Sequence, residues 1–565
     1  MTGKKILIIG GVAAGATAAA RARRLDETAE ITILEKGPYV SFANCGLPYF
    51  VSRDIQKRSR LLLQTPEGFF SRYRVNVKTN TEATGIQRDN KTVTVRTPSL
   101  TEDISYDTLI LAQGGAPIVP QLPGVTLGHV FKLWTIPDMD RIHKFIDEKK
   151  PQRAVIAGGG FIGLEMAEAL HARGINVTVV ELAQQLMIQM DPEFGSMIKA
   201  GLEEQGVAVK TGAGLSEIRD CSVVLSDGST IDADMVLLSI GVRPELTLAK
   251  SAGLEIGPSG GLVVDKMLRT NDPNIYAAGD MVEITHRILG KKVRVPLAGP
   301  ANRQGRIAGT NALGGSMKYH GALGTSVVKL FDHTAASTGL SEKTARDAGF
   351  DIGVSYVFKD NHASYYPGSS MLSLKLVYDK QSRRLLGAQA YGHDGVEKRI
   401  DVAATALYGR MTLDDLSELD LAYAPPFNSA NDPLNLAAFI GINHIEGYSP
   451  LKTPAEALAE LVPVTAGLVP NDGILNGDAG VILDVRTIGE QSKAPLAGVL
   501  HMPADEIRDR IGELPRDRAI YLLSKDGFLG HTSLRILKGA GFEHVYNIAG
   551  GYLAAKWTGG WNFGN

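Results

Sequence analysis

Two separated segments of this chain carry a strand, a glycine loop, a helix, a second strand and an acid in the same order, and that repetition restricts the fold more than any other feature. In the first, Lys5-Ile6-Leu7-Ile8-Ile9 runs into Gly10-Gly11-Val12-Ala13-Ala14-Gly15, an alanine-rich helix follows, and a second strand ends at Glu35. In the second, Ala154-Val155-Ile156-Ala157 runs into Gly158-Gly159-Gly160-Phe161-Ile162-Gly163. A helix continues through Leu164 to Arg173, and the strand from Asn176 to Val180 ends at Glu181. Glycines in such a loop let the backbone approach a pyrophosphate, the helix N-terminus offers N–H donors, and an acid about 20 residues on accepts from a ribose hydroxyl. One match is weak, and Val12 stands at the middle glycine of the first. Two matches with every part in register predict two dinucleotide-binding units. Gly10, Gly11, Gly15 and Glu35 are expected to hold one dinucleotide, and Gly158, Gly160, Gly163 and Glu181 the other. Glu181 repels a 2′-phosphate, and Leu182-Ala183-Gln184 offers no arginine to bind one, so the second is expected to be NADH.

One loop beyond the first unit lies Val40-Ser41-Phe42-Ala43-Asn44-Cys45-Gly46-Leu47-Pro48-Tyr49. A cysteine there can reach the ring end of a bound dinucleotide. Paired-cysteine reductases need a second sulfur a few residues later, but the chain continues to Phe50 and Val51 without one. Cys45 is therefore expected to find its sulfur partner on a small thiol outside the chain. The only other cysteine, Cys221, precedes Val223-Val224-Leu225 and reads as structural. Two cysteines in 565 residues exclude a disulfide scaffold and favour a reducing, cytoplasmic compartment. The opening Lys4-Lys5 and apolar run imitate a secretory signal, but internal glycines and Arg21, Arg23 and Arg24 fit a strand–turn–helix better. No apolar run of about 18 residues is present to span a membrane. A formal charge of −2 gives no general attraction to nucleic acid or anionic lipid.

Strands alternate with helices to about residue 320, as in doubly wound α/β sheets. Tyr106 to Gly115 is a strand entering a glycine turn. Thr270 to Asp280 ends in a carboxylate able to hydrogen-bond a flavin's polyol chain. From Gly324 the pattern changes to antiparallel strands, Ser370 to Tyr378 and Leu385 to Ala390 among them. The clusters His362-Ala363-Ser364-Tyr365-Tyr366-Pro367-Gly368 and Leu421-Ala422-Tyr423-Ala424-Pro425-Pro426-Phe427 read, by composition, as packing and turn residues. A proline-containing stretch, 447–473, looks like a linker, and a small α/β unit begins at Val481-Ile482-Leu483-Asp484-Val485-Arg486.

Taken together, the SFANCGLPY, HASYYPG and AYAPPF runs resemble those of the coenzyme A-disulfide reductases and NADH-dependent coenzyme A-persulfide reductases. These are flavoproteins of the pyridine nucleotide-disulfide oxidoreductase family, and the likeness covers residues 1 to about 443. The remainder resembles a rhodanese domain, a fusion known in the family. The resemblance implies an α/β protein with an FAD-binding domain (1–115 and 245–323), an NADH-binding domain (116–244), an α+β dimerisation domain (324–446) and a rhodanese-like domain (474–565). It implies FAD, NADH and coenzyme A as cofactors and substrate, with Cys45 as the redox nucleophile and Asp280 on the flavin. It further implies a homodimer, with Tyr365 and Tyr423 reaching the active site from the opposite subunit. Thr17, Arg21, Arg24, Ser41, Asn44 and Asn302 fall where the family binds coenzyme A, and Arg306, with Arg72 or Arg74 as alternatives, is expected to add positive charge there. Tyr73 and Asn431 stand where a described member has lysines.

Flavin and nearby helix N-termini are expected to lower the Cys45 thiol from its ordinary pKa of about 8.5. Two rival readings stay open. One is an NADH oxidase or peroxidase cycling Cys45 through a sulfenic acid, although Ala13 occupies the place of those relatives' loop histidine. The other is a flavin- and coenzyme A-binding sensor without turnover. In the tail, the loop expected to read C-x-x-G-x-R-G is Ser524-Lys525-Asp526-Gly527-Phe528-Leu529-Gly530. A hydroxyl cannot carry a persulfide and Leu529 cannot cradle an anion, so this domain is expected to transfer no sulfur.

Overall fold

The computed structural model describes residues 3–461, 476–477 and 480–564, and the chain divides into two compact units. The first holds residues 1–184 and 206–324. Its two five-stranded sheets follow directly from the two glycine-loop segments. One runs in the order 275–277, 108–111, 5–9, 30–34, 75–78, and the other 208–211, 176–181, 153–157, 235–238, 130–131. All pairings in both are parallel. Parallel strands covered on both faces read as unbroken apolar runs, and Ile6, Leu7, Ile8 and Ile9 are all buried. In each sheet the strand that feeds the glycine loop lies in the middle, so each loop opens at the carboxyl end, beside the point where the strand order reverses.

A second helix crosses the first glycine-loop helix. Ala298–Asn311 packs on Ala13–Leu25 with its glycines against the other backbone. A Cβ on Gly305 would lie 2.3 Å from the Ala14 carbonyl oxygen, and one on Gly309 would lie 2.4 Å from that of Ala18. Any side chain at either position would force the helices apart.

The second unit comprises residues 185–205 and 325–565. An antiparallel sheet runs in the order 326–330, 333–339, 385–392, 371–379, 352–360. The segment 185–205 lies inside the stretch expected for NADH binding, yet it belongs to this unit. Its helix, Pro192–Glu204, buries Phe194, Met197, Ile198 and Leu202. The wholly buried Lys375 ammonium contacts Asp191 at 2.8 Å, Glu193 at 2.6 Å and Glu342 at 2.8 Å. Burial by itself would push Lys375 down, but the charges of Glu193, Asp191 and Glu342 drive it well above its ordinary pKa. Losing one partner of such a buried set leaves an uncompensated charge, at a cost of about 3–5 kcal/mol.

The C-terminal part forms a mostly parallel sheet in the order 451–452, 545–548, 519–523, 480–484, with 500–501 also beside 480–484. Residues 451–461 of the expected linker belong to this fold. Leu451 pairs with Asn547, and the helix Pro454–Leu461 buries Ala457 and Leu461 against Ile482, Leu523 and Ile548. Pro454 starts that helix, where its missing N–H is harmless, and does not mark a break. Residues 462–473 lie outside the described residues. No helix among the described residues is long and apolar enough to cross a membrane.

Candidate active site

The two glycine loops have closely matching geometry. Gly10 and Gly158 adopt φ of 97° and 110°, a left-handed conformation that other residues avoid. The Gly11 N–H donates to Glu35 at 2.9 Å, and the Gly159 N–H donates to Glu181 at 2.7 Å. A Cβ on Gly15 would lie 1.8 Å from the Gly10 carbonyl oxygen, and one on Gly163 would lie 1.9 Å from that of Gly158. These last glycines let each helix sit tight against its loop, while the space above Gly160 is open. Each acid is thus held at the rim of an anion-accepting loop, the donor and acceptor set that a dinucleotide requires. At the first site, burial raises the pKa of Glu35 and pushes Asp280 up to about 6. The buried Gln113 Oε1 has no hydrogen-bond partner. Acceptors left in this condition fit the hydroxyl donors of a bound flavin nucleotide.

Cys45 stands on a loop fixed to the first of these sites. The Ser41 N–H donates to the Gly11 carbonyl at 2.8 Å, with Ser41 itself at φ 47°. A single 3₁₀ turn, Asn44–Gly46, then presents the free thiol at an exposed position. Asn44 secures the turn from the side, its amide donating to the Trp134 carbonyl at 2.9 Å. The expected lowering of the thiol pKa is not met by the polypeptide. Protein packed around the sulfur, then the carboxylates of Glu165 and Asp280, push it up. The helix that follows, Leu47–Val51, has only five residues, too short a dipole to offset two acids.

Glu165 escaped the sequence reading. It lies two residues past Gly163 on the helix Phe161–His171, where an acid is ordinarily read as a favourable partner of the helix dipole. Here burial, then Glu168, push its carboxyl up to about 7, against a hydrogen bond from Tyr49 that pulls it down. The Tyr49 hydroxyl donates to it at 3.3 Å. A carboxyl half protonated near neutrality beside a thiol is placed to influence proton movement there. Only folding brings Tyr49, four residues after Cys45, against this helix.

The packed helix pair gathers most of the other expected residues. Thr17 donates to Asn302 at 2.7 Å and Arg21 to Thr310 at 3.0 Å, pairs 285 and 289 residues apart in sequence. Slight burial, then the charges of Arg306 and Arg24, depress the pKa of Arg21, so three guanidinium groups share one neighbourhood. That field suits a polyanionic ligand. Tyr73, by contrast, packs on Phe69 with ring centroids 6.0 Å apart and adds no charge. Tyr365 and Tyr423 belong to the second unit. Their hydroxyls lie 3.1 Å apart, and they are 75% and 49% exposed, so here they are not the packing residues that composition suggests.

In the tail, Ser524 is wholly buried and its Oγ accepts from the Gly527 N–H at 2.9 Å. Leu529 packs against the domain core. Arg486 forks onto Asp484 at 2.7 Å, and His501 Nε2 lies 3.0 Å from the Arg486 carbonyl oxygen. The fold-holding groups are present, while the loop has neither thiol nor guanidinium.

Comparison with known proteins extends over most of the chain. Residues 4–305 match the pyridine nucleotide-disulphide oxidoreductase family, and residues 325–433 match that family's dimerisation domain. The coenzyme A disulfide reductase of Staphylococcus haemolyticus is 35% identical over 439 residues, 77% of this chain and 99% of the relative. Among solved structures, reduced Bacillus anthracis CoADR-RHD superposes with a TM-score of 0.93 at 39% identity, over 99% of this chain and 98% of that one. An NAD-dependent persulfide reductase from A. fulgidus superposes with a TM-score of 0.88 at 37% identity, over 97% and 99%.

Proposed function

The chain belongs to the pyridine nucleotide-disulphide oxidoreductase family, and from that premise we propose that it is an FAD-dependent, NADH-linked reductase of coenzyme A persulfide or disulfide. One observation carries this reading. The free, exposed Cys45 thiol sits on a loop tied to the first glycine site and has no second sulfur nearby in sequence to close a disulfide. Relatives named for coenzyme A disulfide and for persulfide support the substrate class.

In this reading the Cys45 thiolate attacks the coenzyme A-bearing sulfur of the persulfide. The S–S bond breaks, hydrosulfide leaves, and a mixed disulfide between Cys45 and coenzyme A forms. FAD and NADH, when bound, supply the electron pair that cleaves it. Coenzyme A departs as a thiolate and takes a proton from a phenol, the role assigned to Tyr365 and Tyr423 acting from the partner in a homodimer. Thr17, Arg21, Arg24, Ser41, Asn44, Asn302 and Arg306 hold the coenzyme A. Gly10, Gly11, Gly15, Glu35 and Asp280 hold FAD, and Gly158, Gly160, Gly163 and Glu181 hold NADH. The domain limits expected from the sequence go with this reading, apart from the segment 185–205 and the structured start of the linker. So does a cytoplasmic location, where thiols stay reduced. The tail is a structural or docking module.

The deciding assay follows NADH consumption in parallel with coenzyme A persulfide, coenzyme A disulfide and hydrogen peroxide. Turnover with a coenzyme A sulfur substrate well above that with peroxide is expected. Consumption driven only by peroxide or oxygen would sink the proposal.

A further inference from the structure

On the antiparallel sheet, strand 333–339 pairs with strand 385–392, Thr334 facing Gly392. Continuing that register by one residue places His333 opposite His393, at the end of the ladder. Directly opposed residues have Cβ atoms about 4.5–5.5 Å apart, and the two imidazole rings lie with centroids 4.0 Å apart, tilted by 36°. Asp332 completes the group from the turn joining strands 326–330 and 333–339, where Phe331 takes φ 57°. Its two carboxylate oxygens divide between the rings, Oδ1 at 2.9 Å from His333 Nδ1 and Oδ2 at 3.5 Å from His393 Nδ1. The Asp332 carbonyl oxygen is 3.2 Å from that same His393 nitrogen. One donor atom from each of the three side chains lies within 4.8 Å of the others.

The 2.9 Å contact brings a carboxylate oxygen beside a buried imidazole nitrogen but leaves that nitrogen without a well-directed hydrogen bond. Atoms so placed can serve as neighbouring ligands of a third atom. Ligands bound tetrahedrally at about 2.0–2.1 Å are about 3.3 Å apart, and each ring nitrogen has one carboxylate oxygen near that spacing, Oδ1 at 2.9 Å from His333 and Oδ2 at 3.5 Å from His393. Tyr391 stacks on the His333 ring, centroids 5.1 Å apart and planes 13° from parallel, which restricts the rotation of that ring.

We propose that Asp332, His333 and His393 bind one divalent transition-metal ion of the zinc, nickel and copper class. Two imidazoles and one carboxylate suit these ions, whereas calcium and magnesium take oxygen ligands. Three protein ligands leave a position open to water or a small anion. The site lies in the dimerisation domain and uses no residue assigned to sulfur reduction.

The test titrates zinc into the FAD-loaded, full-length chain carrying Cys45→Ser and Cys221→Ser, so that thiols do not compete. Calorimetry and equilibrium dialysis read affinity and stoichiometry. One zinc per chain is expected. His333→Ala and His393→Ala should each weaken binding by more than about 10-fold, the least that loss of even an outer-sphere partner tends to cause. Zinc should raise the melting temperature of the parent but not of the double-histidine variant. His393→Gln, at an exposed position, serves if His333→Ala fails to fold. Zinc binding unchanged by the histidine substitutions, or no zinc retained by the parent, would overturn the proposal.

Discussion

The loops carrying Cys45 and Ser524 each present a small polar side chain at the start of a turn, and they differ in what surrounds that atom. Around Cys45 the side chain is exposed, the turn is tied to a glycine loop, and a carboxyl titrating near neutrality is close by. Around Ser524 the hydroxyl is buried, its oxygen accepts from the Gly527 N–H, and Leu529 packs against the core. The tail's architecture rests on groups outside the loop: the Asp484–Arg486 pair and the apolar strands. The fold of this domain and the chemistry of its loop therefore depend on different residues.

The strongest way to break this contrast is Cys45→Ser. The variant should keep yellow FAD and bind NADH, yet lose persulfide turnover by more than about 10³-fold, as removal of a nucleophile does. Near wild-type turnover would make the two loops equivalent after all. Next come Tyr365→Phe and Tyr423→Phe, each expected to slow the sulfur half-reaction about 10²-fold, the low end of proton-transfer catalysis. Flavin reduction by NADH should change far less. Equal slowing of both half-reactions in stopped-flow traces would point to packing damage.

A smaller effect sharpens the electrostatic side. Glu165→Gln removes a negative neighbour of Cys45 and should lower the thiol's titration midpoint by roughly half a pH unit, read from the pH dependence of alkylation. Because folding raises Glu165 from 4.5 to about 7, the folded state holds more protons than the unfolded one across that window. Its contribution to stability is therefore greatest below pH 4.5 and is lost as pH rises to about 7, and the glutamine variant should lack that slope. A midpoint unmoved by the substitution would remove Glu165 from the thiol's surroundings. The smallest expected effect belongs to Ser524. With thiosulfate and cyanide the chain should form no thiocyanate above background, and Ser524→Cys alone should restore little, since Leu529 still supplies no cation. Robust thiocyanate from the unaltered chain would erase the contrast.

Local features were legible in the sequence because their physics is local. Gly10, Gly158, Gly15 and Gly163 answer to backbone angles and contacts within a few residues, and a lone Cys45 is visible by counting. Features that depend on distant partners were not. Glu165 looks like an ordinary helix acid until burial and Tyr49 act on it. The helix Pro192–Glu204 reads as part of a dinucleotide domain until Lys375, 182 residues from Glu193, claims it. Thr17 and Asn302 were named only through a family likeness, since neither carries a signal of its own, and their hydrogen bond appears only in the fold. The linker reading failed at 451–461 because a proline opening a helix was weighted as a breaker.

The Lys375 cluster has a consequence for how the chain is made. Ribosomes add about 5–20 residues per second, so Glu193 is added roughly ten to forty seconds before its lysine, 182 residues on. Throughout that interval the helix Pro192–Glu204 has an apolar face and two acids with no partner to receive them, while its sequence neighbours on both sides can already close their own sheet. A nascent chain halted between residues 205 and 375 would leave this apolar face and its acids without the groups that cover them.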